Sequence, residues 1–232
     1  MSVVFAWMSG TRLAYRSVRI LLTFGIVYLP FGKSMPKNDC AAREQILMAA
    51  LKQFARHGYA GASIQDIVSA ARLTKPTLYY YFKSKAGLFN ALMDYAYDKY
   101  LERMKSAAAG ATSLDGQLTE ILTSLFDFLR EREDLTRLSF ASAFAAPDEM
   151  PVSRQIQQKR ERNFEFVHDL IKKGLAEGAL DKRFDSRELA YGIYGALSFY
   201  VMANLLLPGT RLNRTTAEHI VALFMNGARK RR

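Results

Sequence analysis

The chain has 232 residues, half of them hydrophobic and a quarter charged, the balance of an ordinary soluble globular protein with room for a sizeable core. One cysteine, Cys40, excludes a disulfide within the chain and fits a reducing cytoplasm. The formal charge of +11 favours polyanionic partners, nucleic acid or an acidic membrane surface.

Residues 1–34 contain Arg12, Arg16, Arg19 and Lys33 and no acid, so they carry +4 of that charge and leave +7 to the rest. The uncharged apolar run from Ile20 to Phe31 is too short for a membrane span, which needs roughly 20 residues. Arginines before an apolar stretch suggest a signal peptide, but no small-residue cleavage site follows. A phosphate-loop reading of "GIVYLPFGKS" fails on spacing, because Gly25 lies two positions too early. Three readings of this extension stay open: an upstream start with Met35 as the true beginning, a peripheral membrane anchor, or a loosely packed extension.

From Asp39 the pattern is helical almost throughout, which sets the fold class as all-α, about nine helices in all. The first helix covers residues 40–57, with Ile46, Leu47, Ala50, Leu51 and Phe54 in one apolar stripe, and Gly58 after His57 suits a left-handed stop. Ser63 opens the second helix, with Asp66 three residues on as partner in a capping box and Ile64, Ile67, Val68 and Ala71 on its buried face. After the turn Ala71-Arg72-Leu73, Thr74 caps a short third helix through Phe82. Ser84 caps a long fourth one, with Leu88, Leu92, Tyr95 and Ala96 on one side, that ends near Ala109 before Gly110 and Thr112-Ser113. Further helices are expected at 114–131, 134–145, 152–177, 186–207 and 215–229, separated at Pro147 and Pro151, at Gly178 and at Pro208-Gly209.

Two short helices joined by a tight turn, with a helix before them as support, make a helix-turn-helix unit whose second helix enters the DNA major groove N-terminus first. Pro76 costs nothing in the first turn, where backbone N–H groups have no partner. Leu78 and Phe82, four residues apart, face the small core. At about 100° per residue, Tyr80 then lies opposite Leu78, Tyr79 on one shoulder beside Lys75, and Tyr81 on the other beside Thr77 and Thr74. Three consecutive tyrosines cannot all be core, so their phenols are read as donors on an exposed arc for phosphates and base edges. Lys85, in the first turn of the next helix, also suits a phosphate. Lys83 is read as a plain solvated charge.

The segment "SIQDIVSAARLTKPTLYYYFKSKAGLFNAL", Ser63 to Leu92, closely resembles the DNA-binding segment of TetR-type (tetracycline-repressor-like) transcriptional regulators; the likeness covers residues 43–93. It implies a homodimer in which each recognition helix reads one half of a near-palindromic double-stranded DNA operator. It carries base contact to Lys75, Pro76 and Thr77, and phosphate contact to Thr74, Tyr79, Tyr80, Tyr81 and Lys85, with Ser63 and Gln65 in support. One position departs: family members usually have glycine where this chain has Arg72. If the turn needs positive φ there, arginine costs on the order of 1 kcal/mol, and its side chain can itself reach a phosphate.

The resemblance divides the chain into the extension 1–34, a DNA-binding domain 35–93 and a ligand-sensing, dimerising body 94–232. The 186–207 helix is apolar nearly all round, so it must be covered on more than one side. Gly192, Gly195, Ala196 and Ala203 would let a partner helix approach, and with Ile220, Leu223 and Phe224 of the last helix this suits either a four-helix interface across a two-fold axis or a buried central helix of a monomer; the resemblance implies the dimer. Phe126, Phe128, Phe140, Phe144, Phe164, Phe166, Tyr191, Tyr194, Phe199 and Tyr200 make the body dense in aromatics, some of which would line a pocket for an apolar or aromatic small-molecule inducer. A bound inducer would favour a dimer whose recognition helices no longer match a groove spacing of about 34–36 Å.

An enzyme reading has little to stand on. His57, His168 and His219 are scattered, and His168-Asp169 reads as a solvated face. Cys40 has no metal-ligand partner at useful spacing, and Asp148-Glu149 falls in a proline-flanked loop. No cofactor and no metal are expected. The leading function is a ligand-responsive DNA-binding regulator, a cytoplasmic repressor without stable membrane association. The alternatives are a membrane-associated helical protein, resting on residues 1–34, and a helical enzyme.

Overall fold

The computed structural model describes residues 37–146, 149–207 and 209–228. The readings made for residues 1–34, Met35, Pro147, Asp148 and Pro208, and for the side chain of Cys40, lie outside the described residues. Residues 41 onward form one compact unit.

Nine α-helices and no strand occur among the described residues: α1 Lys37–Gly61, α2 Ile64–Ala70, α3 Lys75–Phe82, α4 Lys85–Ala108, α5 Leu114–Glu131, α6 Glu133–Phe144, α7 Arg154–Ala176, α8 Ser186–Leu206 and α9 Arg214–Ala228. The helix starts follow their chemistry. Ser113, Ser153 and Asp185 cap α5, α7 and α8 by accepting hydrogen bonds from first-turn N–H groups. Gly58 takes φ 69° and breaks the regular course of α1 where a stop was expected, yet one more turn follows to Gly61.

Two hydrophobic clusters hold the unit. One gathers Ile46, Ala50, Phe54, Ile67, Leu78, Phe82, Leu88, Phe89, Leu92 and Met93 from α1–α4, together with Phe128, Leu135, Leu138 and Ile156 from α5, α6 and α7. The other gathers Leu101, Met104, Leu118, Ile121, Phe126, Ile171, Ile193, Ala217 and Ile220 from α4, α5 and α7–α9. The long α4 therefore serves both, its first half in one core and its second half in the other. Polar groups stitch α4 to α7. The Tyr97 carbonyl accepts from Asn163 Nδ2 at 2.9 Å, its hydroxyl accepts from Arg160 Nε at 2.8 Å, and Lys159 bridges Asp94 and Asp98.

One expectation about a side chain is corrected. His168 is buried, not solvated: Nδ1 lies 3.0 Å from Glu165 and Nε2 2.9 Å from Ser186 Oγ, and its ring stacks on Phe164, because the start of α8 covers that face of α7. Phe144, at the end of α6, is exposed.

Candidate nucleic-acid interface

Three successive helix starts carry hydroxyl caps. Ser63 Oγ accepts from Gln65 N at 3.1 Å, Thr74 Oγ1 from Thr77 N at 3.4 Å, and Ser84 Oγ from Gly87 N at 2.9 Å. The cap of α2 thus closes on Gln65, two residues on, and the Gln65 amide is turned to Ser69 Oγ. Thr74 and Thr77 also join through their hydroxyls at 2.9 Å, which stiffens the first turn of α3. Pro76 is the second residue of that turn and is exposed, as is Lys75, while Thr77 is half-buried.

Behind this turn, Leu78 is fully buried and Phe82 buried, so the angular argument for the remaining side chains has a fixed origin. Tyr80 is 65% exposed and Tyr79 43%. Tyr81 departs from the expected open arc. It is half-buried against the α1–α4 core, tilted on Phe82 and edge-on to Tyr80 with ring centroids 5.0 Å apart. The shoulder it occupies is shared with the core, and its partner there is the Tyr80 ring.

Lys85 is placed in the first turn of α4 as expected, but it is half-buried. Its ammonium donates to the Ala60 carbonyl at 3.0 Å and sits 4.8 Å from the centre of the Tyr59 ring. Burial holds this lysine below its ordinary pKa. Reasoning from helix periodicity could not place Ala60 there, since the contact spans 25 residues of chain.

A strained residue flanks α3 on each side, Arg72 in the turn that closes α2 and Lys83 at the C-terminal cap of α3. Arg72 has φ 54° and Lys83 φ 64°, the two positive-φ residues other than glycine among the described residues. The expectation for Arg72 holds, at a cost of about 1 kcal/mol. Lys83 is exposed; its Nζ donates to the Tyr80 carbonyl at 3.2 Å, at the C-terminus of α3, and lies 6.0 Å from the Tyr80 ring centre. Sequence reasoning also missed Gly87: a Cβ there would stand 2.0 Å from the Phe82 carbonyl oxygen, so glycine is what lets α4 start so close to the end of α3. Its signal was a lone glycine in a helical first turn.

The surrounding charge is lopsided. Residues 41–93 hold seven basic and two acidic side chains. The ion pairs of the described residues all involve Asp94 or later positions. The cations around α3 are therefore unpaired by carboxylates within the described residues. A short helix with polar and cationic side chains on an exposed arc, apolar anchors behind and no carboxylate paired to its cations suits an anionic surface. Among the described residues no cluster of His, Cys, Asp and Glu could hold a metal ion.

In the body, α4, α5, α6 and α8 enclose a cavity of about 70 Å³ lined by Tyr100, Met104, Phe140, Tyr194, Leu197 and Val201 among others. Tyr100 donates to Thr136 Oγ1 at 3.2 Å, and burial pushes the Tyr100 and Tyr194 hydroxyls up to about 12. On the outer faces of α8 and α9, Tyr191, Phe199, Leu206 and Leu223 are exposed, and a Cβ at Gly195 would meet nothing within 4 Å.

Residues 46–92 match the family model described as bacterial regulatory proteins, tetR family. The HTH-type transcriptional activator FasR of Mycolicibacterium smegmatis is 29% identical over 140 residues, 60% of this chain and 62% of its own length, so the chain spans less than two thirds of that relative. The HTH-type transcriptional repressor SCO4008 of Streptomyces coelicolor is 28% identical over 141 residues, 60% of this chain and 70% of its own. The transcriptional regulator FadR from Bacillus subtilis, solved in complex with stearoyl-CoA, superimposes with a TM-score of 0.68 at 18% identity, over 79% of this chain and 98% of that one. At that identity the likeness shows the fold.

Proposed function

This chain belongs to the TetR family of bacterial regulatory proteins, and from that premise we propose that it is a ligand-responsive, DNA-binding transcriptional regulator acting as a homodimer on a near-palindromic operator. The observation that carries the proposal is α3, anchored by Leu78 and Phe82 and presenting Lys75, Pro76, Tyr79 and Tyr80 outward in a segment with a net +5 from seven bases and two acids. On this reading residues 35–93 form the DNA-binding part and 94–232 the sensing and dimerising part. Lys75, Pro76 and Thr77 meet base edges. Thr74, Tyr79, Tyr80 and Tyr81 meet phosphates, with Ser63 and Gln65 in support, and Lys85 joins them when its ammonium leaves the Ala60 carbonyl. The relatives include both an activator and a repressor, and repression is the reading favoured here because release by a bound inducer needs only a change in helix spacing. The location that goes with this role is the cytoplasm, and no catalytic step is proposed.

The exposed apolar faces of α8 and α9 support the dimer: a stripe of Tyr191, Gly195, Phe199 and Leu206 with Leu223 beside it leaves surface that a second copy would cover. Helix α8 is also long and apolar enough to cross a membrane, by length and composition only. Its inner residues Leu189, Ala190, Ile193, Leu197 and Val201 belong to the body core, which favours the dimer over a membrane. The cavity supports a small, neutral, largely apolar ligand, since its walls carry hydroxyls that stay protonated and no charged side chain. FadR of Bacillus subtilis was solved with stearoyl-CoA. A ligand of that size would exceed about 70 Å³ many times over, so this chain takes a smaller compound or opens widely.

The test is binding to duplex DNA from upstream of its own gene, followed by mobility shift and footprinting. The expected result is a protected inverted repeat, with Lys75→Ala and Tyr79→Phe each weakening binding about tenfold or more. Operator binding unchanged in both variants would overturn the assignment of α3 as the reading helix.

A further inference from the structure

We propose that Arg72 and Lys83 are a pair of phosphate-binding cations clamping the DNA backbone at the two ends of α3. The inference rests on the DNA-binding reading above and adds two residues to it. Arg72 and Lys83 are the only non-glycine residues with positive φ among the described residues, and both are basic and exposed. Nothing in the chain's chemistry forces a long cation into either position. The same stretch uses glycine where positive φ is needed within α1, at Gly58. At both ends of α3 the more comfortable residue is absent, and the one present brings a charge.

The surroundings leave those charges unpaired, and Arg72 shares an open groove with Glu44 and Lys52 of α1. No carboxylate among the described residues pairs with any base of residues 41–93, whereas the bases of the body, such as Lys159, Arg162, Arg187 and Arg214, hold acidic partners. Lys83 is steadied by two weak neighbours, the Tyr80 carbonyl at 3.2 Å and the Tyr80 ring, which keep the ammonium beside the exposed phenol without neutralising it. Arg72 precedes the Leu73-Thr74 entry to the helix and Lys83 directly follows Phe82, so the two cations bracket the eight residues of α3. A helix lying in a groove has phosphate strands on both sides, and cations at its two ends fix how deeply and at what angle it enters. Strain kept at both flanks of a recognition helix then has a function to explain it.

The experiment uses the full-length protein with a 30-base-pair duplex of arbitrary sequence, because phosphate contacts do not depend on the operator. Binding is measured as a function of salt for the wild type, Arg72→Gly, Lys83→Asn and the double variant, with melting temperature recorded for each. Glycine and asparagine accept positive φ, so the variants are expected to melt at or above the wild-type temperature. Each removed phosphate contact should lower the slope of log K against log salt by about 0.9 per subunit, so about 1.8 per dimer for each single variant. Lys172→Gln, an exposed position paired with Asp169 on α7, should leave the slope unchanged. Slopes equal to wild type in both α3 variants, with the wild type itself salt-dependent, would overturn the clamp and leave the DNA-binding reading intact. A wild type that shows no salt-dependent binding would overturn both. A fall in melting temperature together with an unchanged slope assigns the two residues a purely structural role and also overturns the clamp.

Discussion

Gly87 and Phe82 stand so close that a Cβ on the glycine would lie 2.0 Å from the phenylalanine's carbonyl oxygen. The obstacle is backbone, which cannot swing aside as a side chain would. Gly87→Ala is therefore expected to push the start of α4 away from the end of α3 and to cost about 1–3 kcal/mol, read from urea denaturation. DNA affinity should fall as well, because α3 loses its fixed seat. A change under about 0.5 kcal/mol would mean that the junction yields freely.

Leu78 is fully buried and carries the inner face of a helix only eight residues long. Leu78→Ala should cost about 2–5 kcal/mol in the same measurement, with a loss of DNA binding at temperatures where far-UV circular dichroism still reports a folded body.

Tyr100 and Tyr194 are held up to about 12 by burial, against 10.0 for an exposed tyrosine. An acid whose folded pKa is raised stabilises the fold fully below its unfolded value and loses that contribution as pH rises through the folded one. Stability should thus be flat up to about pH 10 and fall between 10 and 12, by about 3 kcal/mol for each residue. Tyr100→Phe should remove about half of this alkaline loss. An equal loss in the variant would place the titrating group elsewhere.

Phe199 and Leu223 are 62% and 70% exposed on one chain. If a second copy covers them, Leu223→Glu should shift the protein from dimer to monomer in sedimentation velocity and weaken operator binding by more than tenfold. A wild type that sediments as a monomer at micromolar concentration would remove the basis for the two-fold reading.

The cavity beside Tyr100 gives a chemical choice. Among small aromatic probes, 4-methylphenol should raise the melting temperature of the full-length protein, and 4-methylbenzoate should not, because no cation faces the cavity to offset the cost of burying a carboxylate. Val201→Phe should abolish the response by filling the space. Equal shifts with both probes would point to binding outside it.

Much of this architecture was legible because helices announce their ends. Ser113 and Gly178 sit at real boundaries, and α5 runs over the expected residues 114–131. Periodicity also identified Leu78 and Phe82 as the anchors of α3. What stayed hidden depends on what another element lays over a face. The burial of His168 needs Ser186 from α8, and Lys85 meets the Ala60 carbonyl from the end of α1. Tyr81 shows the limit of an angular argument: it gives the direction of a side chain, while its exposure is decided by how far the neighbouring core extends.

The α1–α4 unit, the proposed DNA-binding part, is not a detachable cassette. Its core borrows Phe128, Leu135, Leu138 and Ile156 from α5, α6 and α7, so a fragment ending at residue 93 would leave the apolar side chains that meet them facing water. A chimera that transplants specificity onto another regulator must carry those four side chains, or supply equivalents of matching volume, along with α1 to α3. If α3 is the reading helix as proposed, swapping only its exposed residues leaves that seam uncut and is the cleaner route to a new operator preference.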